Sequence, residues 1–211
     1  MTLPKPYYQD DAVTLYHGDC RQIVPLLHTF DLLLTDPPYG INAARHRNSQ
    51  ASWWKDYGTK EQASWDQSPP PFWVIEMCIN SSDKSVVWGG NYFPLPPSMG
   101  WLLWDKGQRD FSLADGELAW TSENRALRIF TLSRSEALKD GKVHPTQKPE
   151  DLIKWCLTLF PEAQTVLDPF AGSGTTGRAC KDLGRKCTLI ERDESYCEII
   201  AKRMGQEVFA F

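Results

Sequence analysis

Two short stretches carry residues whose types and spacing could do chemistry: Asp36-Pro37-Pro38-Tyr39 and Asp168-Pro169-Phe170-Ala171-Gly172-Ser173-Gly174-Thr175-Thr176. In the first, two prolines fix φ, and their sterics hold Thr35 and Asp36 extended. The Asp36 carboxylate and the Pro37 carbonyl then project rigidly from one turn. A carboxylate beside a carbonyl is an acceptor pair for an exocyclic amino group, which has two N–H donors. Drawing both protons outward makes that nitrogen more tetrahedral and more nucleophilic. Tyr39 adds a flat face on which a planar base can stack. A bare proline turn is the better reading of Pro4-Lys5-Pro6, which lacks the flanking acid and aromatic.

The second stretch continues as Gly172-Ser173-Gly174-Thr175-Thr176-Gly177, a G-x-G-x-x-G pattern. Glycines there let the backbone approach a ligand, and the helix that follows offers unpaired N–H groups to an anion. Glu191 stands 19 residues after Gly172. That is the spacing at which a carboxylate accepts hydrogen bonds from ribose hydroxyls. No Lys-Ser/Thr follows the glycines, so this is not a P-loop. The expected ligand is an adenosine derivative with an anionic group near the glycines.

Both stretches need strands to position them, because open α/β sheets bind ligands at the carboxyl ends of their strands. Hydrophobic runs predict strands at Ala12–His17, Asp31–Thr35, Ser85–Trp88, Trp101–Trp104, Glu117–Thr121, Ala126–Leu132, Thr165–Leu167 and Cys187–Ile190. Helical spacing predicts helices at Arg21–Leu27, Pro71–Ser81, Pro149–Leu159, Thr175–Leu183 and Glu194–Met204. Ile41–Ser68 and Arg134–Val143 read as polar loops. Strands alternating with helices imply an α/β fold with a mainly parallel sheet and right-handed crossovers.

The 211 residues, 41% hydrophobic, suit one domain with a real core. The formal net charge of -4 gives no global basic field, which leaves nucleic-acid binding to local patches. No apolar run approaches the ~18 residues of a membrane span. Six cysteines without a Cys-x-x-Cys pair suit reduced, buried thiols in the cytoplasm and no metal site.

With His144-Pro145-Thr146-Gln147-Lys148-Pro149 just upstream of the glycine turn, these residues closely resemble the amino-methyltransferases that use S-adenosylmethionine, specifically the DNA adenine-N6 and cytosine-N4 group. In that family Asp-Pro-Pro-Tyr is the catalytic motif and Asp-Pro-Phe-x-Gly-Ser-Gly-Thr-Thr the cofactor motif. Here the catalytic motif comes first, the order of the β class, a circular permutation of the usual methyltransferase fold. The resemblance covers nearly the whole chain. It takes in Gly18-Asp19-Cys20, Ser64-Trp65-Asp66, Trp88-Gly89-Gly90-Asn91-Tyr92 and Trp101-Leu102-Leu103-Trp104-Asp105-Lys106.

The resemblance implies a Rossmann-like, circularly permuted methyltransferase fold, its mostly parallel sheet covered by helices on both faces. It implies a single domain over residues 1–211, S-adenosylmethionine as cofactor and DNA as partner, in the cytoplasm of a bacterial or phage-infected cell. Asp36, Pro37, Pro38 and Tyr39 would be catalytic. Asp168, Phe170, Gly172, Ser173, Gly174, Thr175 and Thr176 would line the methionine end of the cofactor, with Glu191 on the ribose. Asp19 and Cys20 would border the cofactor adenine, and Thr146, Gln147 and Lys148 would contact the methionine carboxylate region. The Asp-Pro-Pro-Tyr form points to adenine, since cytosine-N4 enzymes more often begin with serine.

Larger β-class enzymes carry a substantial target-recognition region, whereas Ser122–Val143 offers little room for one. Residues 41–68 and 122–143 are the candidate DNA-contacting loops. The first places Arg45, Arg47 and Lys55 beside Trp53 and Trp54, and the second carries Arg125, Arg128 and Arg134. Basic and aromatic residues together suit phosphate contacts beside an unstacked base. β-class relatives often dimerise, and so short a recognition region gives this chain reason to do the same. Cytosine N4 and RNA stay open as acceptors. The reading from another class is a non-catalytic DNA-binding regulator, against which Asp36, Tyr39 and the glycines speak.

Overall fold

The computed structural model describes residues 2–41, 68–109, 114–137 and 147–206, with only the backbone of Arg134 and Ser135. The strands are β1 (Tyr8–Gln9), β2 (Val13–His17), β3 (Phe30–Thr35), β4 (Ser82–Trp88), β5 (Trp101–Asp105), β6 (Gly116–Thr121), β7 (Arg128–Thr131), β8 (Thr165–Asp168) and β9 (Lys186–Glu191). The helices are α1 (Cys20–Ile23), α2 (Phe72–Ile79), α3 (Arg134–Ala137), α4 (Glu150–Thr158), α5 (Thr175–Asp182) and α6 (Glu194–Met204).

Among the described residues one sheet runs in the order β1-β2-β9-β8-β3-β4-β6-β5-β7. Its central block β2-β9-β8-β3-β4 is parallel throughout. Antiparallel pairing enters at β1–β2, β4–β6 and β5–β6. Side chains alternate across the central strands. Leu32, Leu34, Val86, Trp88 and Val166 pack with α4, α5 and α6 on one face. Leu33, Val87, Leu167 and Ile190 pack with α1 and α2 on the other. Burial on both faces is why these strands read as near-continuous apolar runs rather than alternating ones. All six cysteines are free and buried.

Two readings of the sequence need correction. The helix expected at Arg21–Leu27 splits into α1 and a 3-10 turn at Val24–Leu26, because Pro25 lacks the N–H that an α-helix would use there. The loop expected at Arg134–Val143 opens with α3. Glu136 N–H donates to the Ser133 hydroxyl at 3.2 Å, and Ser133 N–H donates back to the Glu136 carboxylate at 3.1 Å. That reciprocal pair is a capping box, and the S-x-x-E spacing of Ser133 and Glu136 announces it.

Candidate active site

Strands β3 and β8 lie side by side with Leu32 opposite Val166 and Leu33 opposite Leu167. Their carboxyl ends therefore emerge together at the centre of the sheet, and a direct bond joins them. The Thr35 hydroxyl donates to Asp168 Oδ1 at 2.8 Å. Asp168 also accepts from Phe170 N–H at 3.2 Å and from the Thr176 hydroxyl at 2.7 Å. Burial raises its carboxyl to about 6 against the pull of these donors. Asp168 thus ties the catalytic-type turn to the glycine turn and to the first turn of α5.

The glycine turn bends as its residues require. Gly172 and Gly174 have φ of 53° and 77°, a region that glycine enters at no steric cost. A Cβ on Gly174 would stand 2.9 Å from Ile200 Cγ1, so this glycine also allows α6 to pack close. At the end of β9, Glu191 accepts from Gly172 N–H and from Asp193 N–H, each at 2.8 Å. Burial raises its carboxyl above the ordinary range. Asp19 caps α1 through Arg21 N–H at 2.9 Å and pairs with the Arg21 guanidinium.

These ends enclose a cleft of about 840 Å³, within the range of small-molecule sites. Its wall includes Asp19, Cys20, Asp36, Gln147, Lys148, Asp168, Phe170, Gly172, Ser173, Thr175, Thr176 and Glu191. Most of the expected cofactor residues thus share one cavity. Gly174 stands behind its wall, and Thr146 lies outside the described residues. Trp88 is fully buried and lines the same cleft, yet its indole N–H meets no acceptor among the described residues. Buried donors are rarely left so. The donor set and cavity therefore fit a nucleoside cofactor with a polar tail.

Beside this cleft stands a cluster that sequence reasoning found only in part. The Tyr39 hydroxyl donates to Asp36 Oδ1. Lys148 Nζ lies 2.5 Å from Asp36 Oδ2, 3.2 Å from the Tyr39 hydroxyl and 3.1 Å from Glu117 Oε2. Glu117 Oε1 in turn takes Lys106 Nζ at 2.5 Å. Burial raises Asp36 above the ordinary carboxylate range, with Lys148 pulling it back. Burial also works against the charge of Glu117, but the two ammonium groups prevail and leave it at about 2. Lys148 itself is held well above the usual lysine value, since the two carboxylates outweigh its desolvation. Lys148, expected at the methionine carboxylate region, lines the cleft, and its three donors are directed to Asp36, Glu117 and Tyr39.

Glu117 and Lys106 were missed. A signal for Glu117 existed, since on β6 it shares a face with the buried Ala119, and a core-facing acid in a strand needs a partner. The Tyr39 ring stacks on Tyr92, with centroids 4.8 Å apart and planes 10° apart.

Of the expected DNA residues, only Arg125 and Arg128 have described side chains. Arg125 points inward, donating to the Leu159 carbonyl at 2.9 Å and covering the Phe160 ring at 4.6 Å. Arg128 is exposed on β7, the outermost strand, four strands from β3. Arg45, Arg47, Trp53, Trp54, Lys55 and the side chain of Arg134 lie outside the described residues. Among the described residues no group of three or more His, Cys, Asp or Glu could hold a metal ion, and no helix is long and apolar enough to cross a membrane.

Comparison with known proteins agrees with this picture. Residues 56–202 match the DNA methylase family. The Type II methyltransferase M2.DpnII of Streptococcus pneumoniae is 25% identical across 97% of this chain and 94% of its own length. The Type II methyltransferase M.ScaI of Streptomyces caespitosus is also 25% identical, across 97% of this chain and 85% of its own. Among solved structures, the cytosine-N4-specific PvuII DNA methyltransferase superposes with a TM-score of 0.64 at 18% identity, covering 98% of this chain and 91% of that one. The M1.HpyAVI–SAM complex gives 0.57 at 20% identity, covering 92% and 100%.

Proposed function

Since the chain belongs to the DNA methylase family, we propose that it transfers a methyl group from S-adenosylmethionine to the exocyclic N6 of adenine in DNA, after the base has been flipped from the duplex. One observation carries this reading. The Asp36-Pro37-Pro38-Tyr39 turn and the glycine turn leave adjacent strand ends, joined by the Thr35–Asp168 hydrogen bond, and Asp36 and Gly172 share one cleft. Acceptors for an amino group and a seat for a nucleoside cofactor are thereby side by side. The order of the two turns in the chain supports the permuted, β-class form of the fold.

S-adenosylmethionine supplies a methyl group on a positively charged sulfonium, already an excellent leaving group. The protein's own contribution is therefore position and charge. Asp36 and the Pro37 carbonyl receive the two N–H donors of the target amine and aim its lone pair into the cleft. No covalent intermediate on the enzyme is needed. Glu191 accepts the ribose hydroxyls while its other lone pairs shape the Gly172 and Asp193 turns. Gly172, Ser173, Thr175 and Phe170 border the methionine end, with Asp19 and Cys20 at the cofactor adenine. The loops at 41–68 and 122–143 supply the DNA contacts. So short a region favours loose target recognition or a second copy of the chain.

The test is to incubate the protein with labelled S-adenosylmethionine and unmethylated DNA or RNA, then digest and identify the labelled nucleoside by mass. N6-methyladenine from DNA is expected. N4-methylcytosine would overturn the base assignment and align the chain with the PvuII enzyme's specificity. Label in RNA alone, or none at all, would overturn the DNA-modifying reading.

A further inference from the structure

Four charges of alternating sign, Lys106, Glu117, Lys148 and Asp36, run in line from the far side of β4 to the catalytic turn. They come from the ends of β5 and β3, from β6, and from the segment before α4, so nothing local in the sequence demands their meeting. Lys106 and Lys148 are 3% and 6% exposed at the side chain. A buried ion pair is weak evidence for stability, since well-packed apolar residues do as well or better. The chain of charges therefore calls for another explanation.

We propose that Lys148 and Glu117 are positioning residues for the methyl-transfer step: Glu117, anchored by Lys106, fixes Lys148 against Asp36, so that Asp36 meets the target amine ionised and correctly turned. The inference rests on the reading of Asp36 as the acceptor for that amine.

The geometry supports it in three ways. Lys148 spends its three donors on Asp36 Oδ2, Glu117 Oε2 and the Tyr39 hydroxyl, at 2.5, 3.1 and 3.2 Å. Tyr39 meanwhile bonds Asp36 Oδ1. With one donor on each oxygen, the plane of the carboxylate is set and each oxygen keeps a lone pair for the amine. Second, Asp36 stands in a site whose burial favours the neutral acid, and a protonated carboxyl would offer a donor where an acceptor is needed. An ammonium in contact opposes this, commonly lowering a carboxyl by about one to three pH units. Third, Lys148 alone would cancel the negative charge that favours a sulfonium and a developing ammonium nearby. Glu117 offsets Lys148, and Lys106 offsets Glu117, so the line as a whole is neutral and its negative end faces the reaction.

The other titratable neighbours are Tyr39 on the catalytic turn, Asp168 at the end of β8 and Cys156 on α4. Burial pushes the Cys156 thiol and the Tyr39 phenol up, so both stay protonated. Asp168, raised to about 6 by burial and further by the Asp36 charge, accepts from Thr35, Phe170 and Thr176, and is present in every variant below.

Single-turnover methyl transfer to DNA between pH 5 and 9 tests the proposal with Lys148→Met, Lys148→Arg, Glu117→Gln and Asp36→Ala. Removing the ammonium is expected to move the acid limb of the rate profile up by about one to three pH units, and Lys148→Arg is expected to restore most of that shift. Glu117→Gln, which removes a negative charge near Asp36, moves the same limb down and slows the plateau at least tenfold. A role confined to stability would lower the amount of folded enzyme without moving either limb. An unmoved limb in both Lys148→Met and Glu117→Gln, with Asp36→Ala inactive, overturns the proposal. Active Asp36→Ala would overturn the reading beneath it instead. Should Lys148→Met fail to fold, the plateau of Glu117→Gln decides: a rate at least tenfold lower with cofactor affinity unchanged supports the proposal, and an unchanged plateau refutes it.

Discussion

Glu191 uses a single carboxylate to shape two turns, accepting at 2.8 Å from Gly172 on one side and from Asp193 on the other. Glu191 also lines the cleft, where ribose hydroxyls would donate to its remaining lone pairs. A hydrogen bond to a charged group contributes about 1.5–3 kcal/mol. Glu191→Gln is therefore expected to weaken S-adenosylmethionine binding by roughly 10- to 100-fold, with little change in the methyl-transfer rate at saturating cofactor. Burial raises Glu191, so the acceptor is lost on acidification at a higher pH than for an ordinary carboxylate. The dissociation constant of the wild type should climb as pH falls through that raised value, whereas that of Glu191→Gln stays flat; calorimetric titration at several pH values checks both. At this scale the sequence was a good guide to where a residue stands whenever its place follows from its neighbours in the chain. Asp36 and Glu191 were legible because each ends a strand beside a turn of unusual composition. Glu117 and Lys106 were not, because their meaning comes from partners on other elements, 11 positions apart for Lys106 and Glu117 and 31 for Glu117 and Lys148.

Turns between elements decide whether those side chains meet. Gly89, after β4, has φ of 66°, and a Cβ there would stand 2.0 Å from Tyr39 Cε1. Gly184, after α5, has nearly the same φ, 67°, but a Cβ would meet nothing within 4 Å. The pair separates backbone strain from steric conflict. Gly184→Ala should cost about 1–2 kcal/mol in urea denaturation, the strain of a left-handed alanine, and leave activity unchanged. Gly89→Ala adds overpacking of about 1–3 kcal/mol. It should also move Tyr39 off Asp36, so that methyl transfer falls with stability. Equal costs at the two sites would contradict the close approach of Tyr39 to Gly89. Element positions followed well from composition: α6 begins and ends where helical spacing put it, and the predicted strands shifted by a few residues at most. The misses have local causes. Pro25 divides what periodicity reads as one helix, β1 is a two-residue pair too short to show alternation, and the capping box of Ser133 and Glu136 went unread.

For the molecule as a whole, the decisive feature is that β8, late in the chain, inserts beside β3, early in it. That pairing joins the two motifs into one cleft, and it explains how residues 36 and 168 can serve a single reaction. Pattern reasoning recovers the strands and their mainly parallel character, but strand order depends on long-range pairing that no local window contains. The family resemblance supplied what periodicity could not. Net charge says little here, because the charges that matter are buried in a neutral line rather than spread over the surface. The account as a whole stands on Asp36 as the group that receives the target amine. The most direct measurement compares wild type and Asp36→Ala for transfer of the labelled methyl group from S-adenosylmethionine to unmethylated DNA, with cofactor binding measured in parallel. The account predicts that Asp36→Ala binds the cofactor but transfers methyl groups at least about 100- to 1,000-fold more slowly. Equal rates for the two proteins would contradict it.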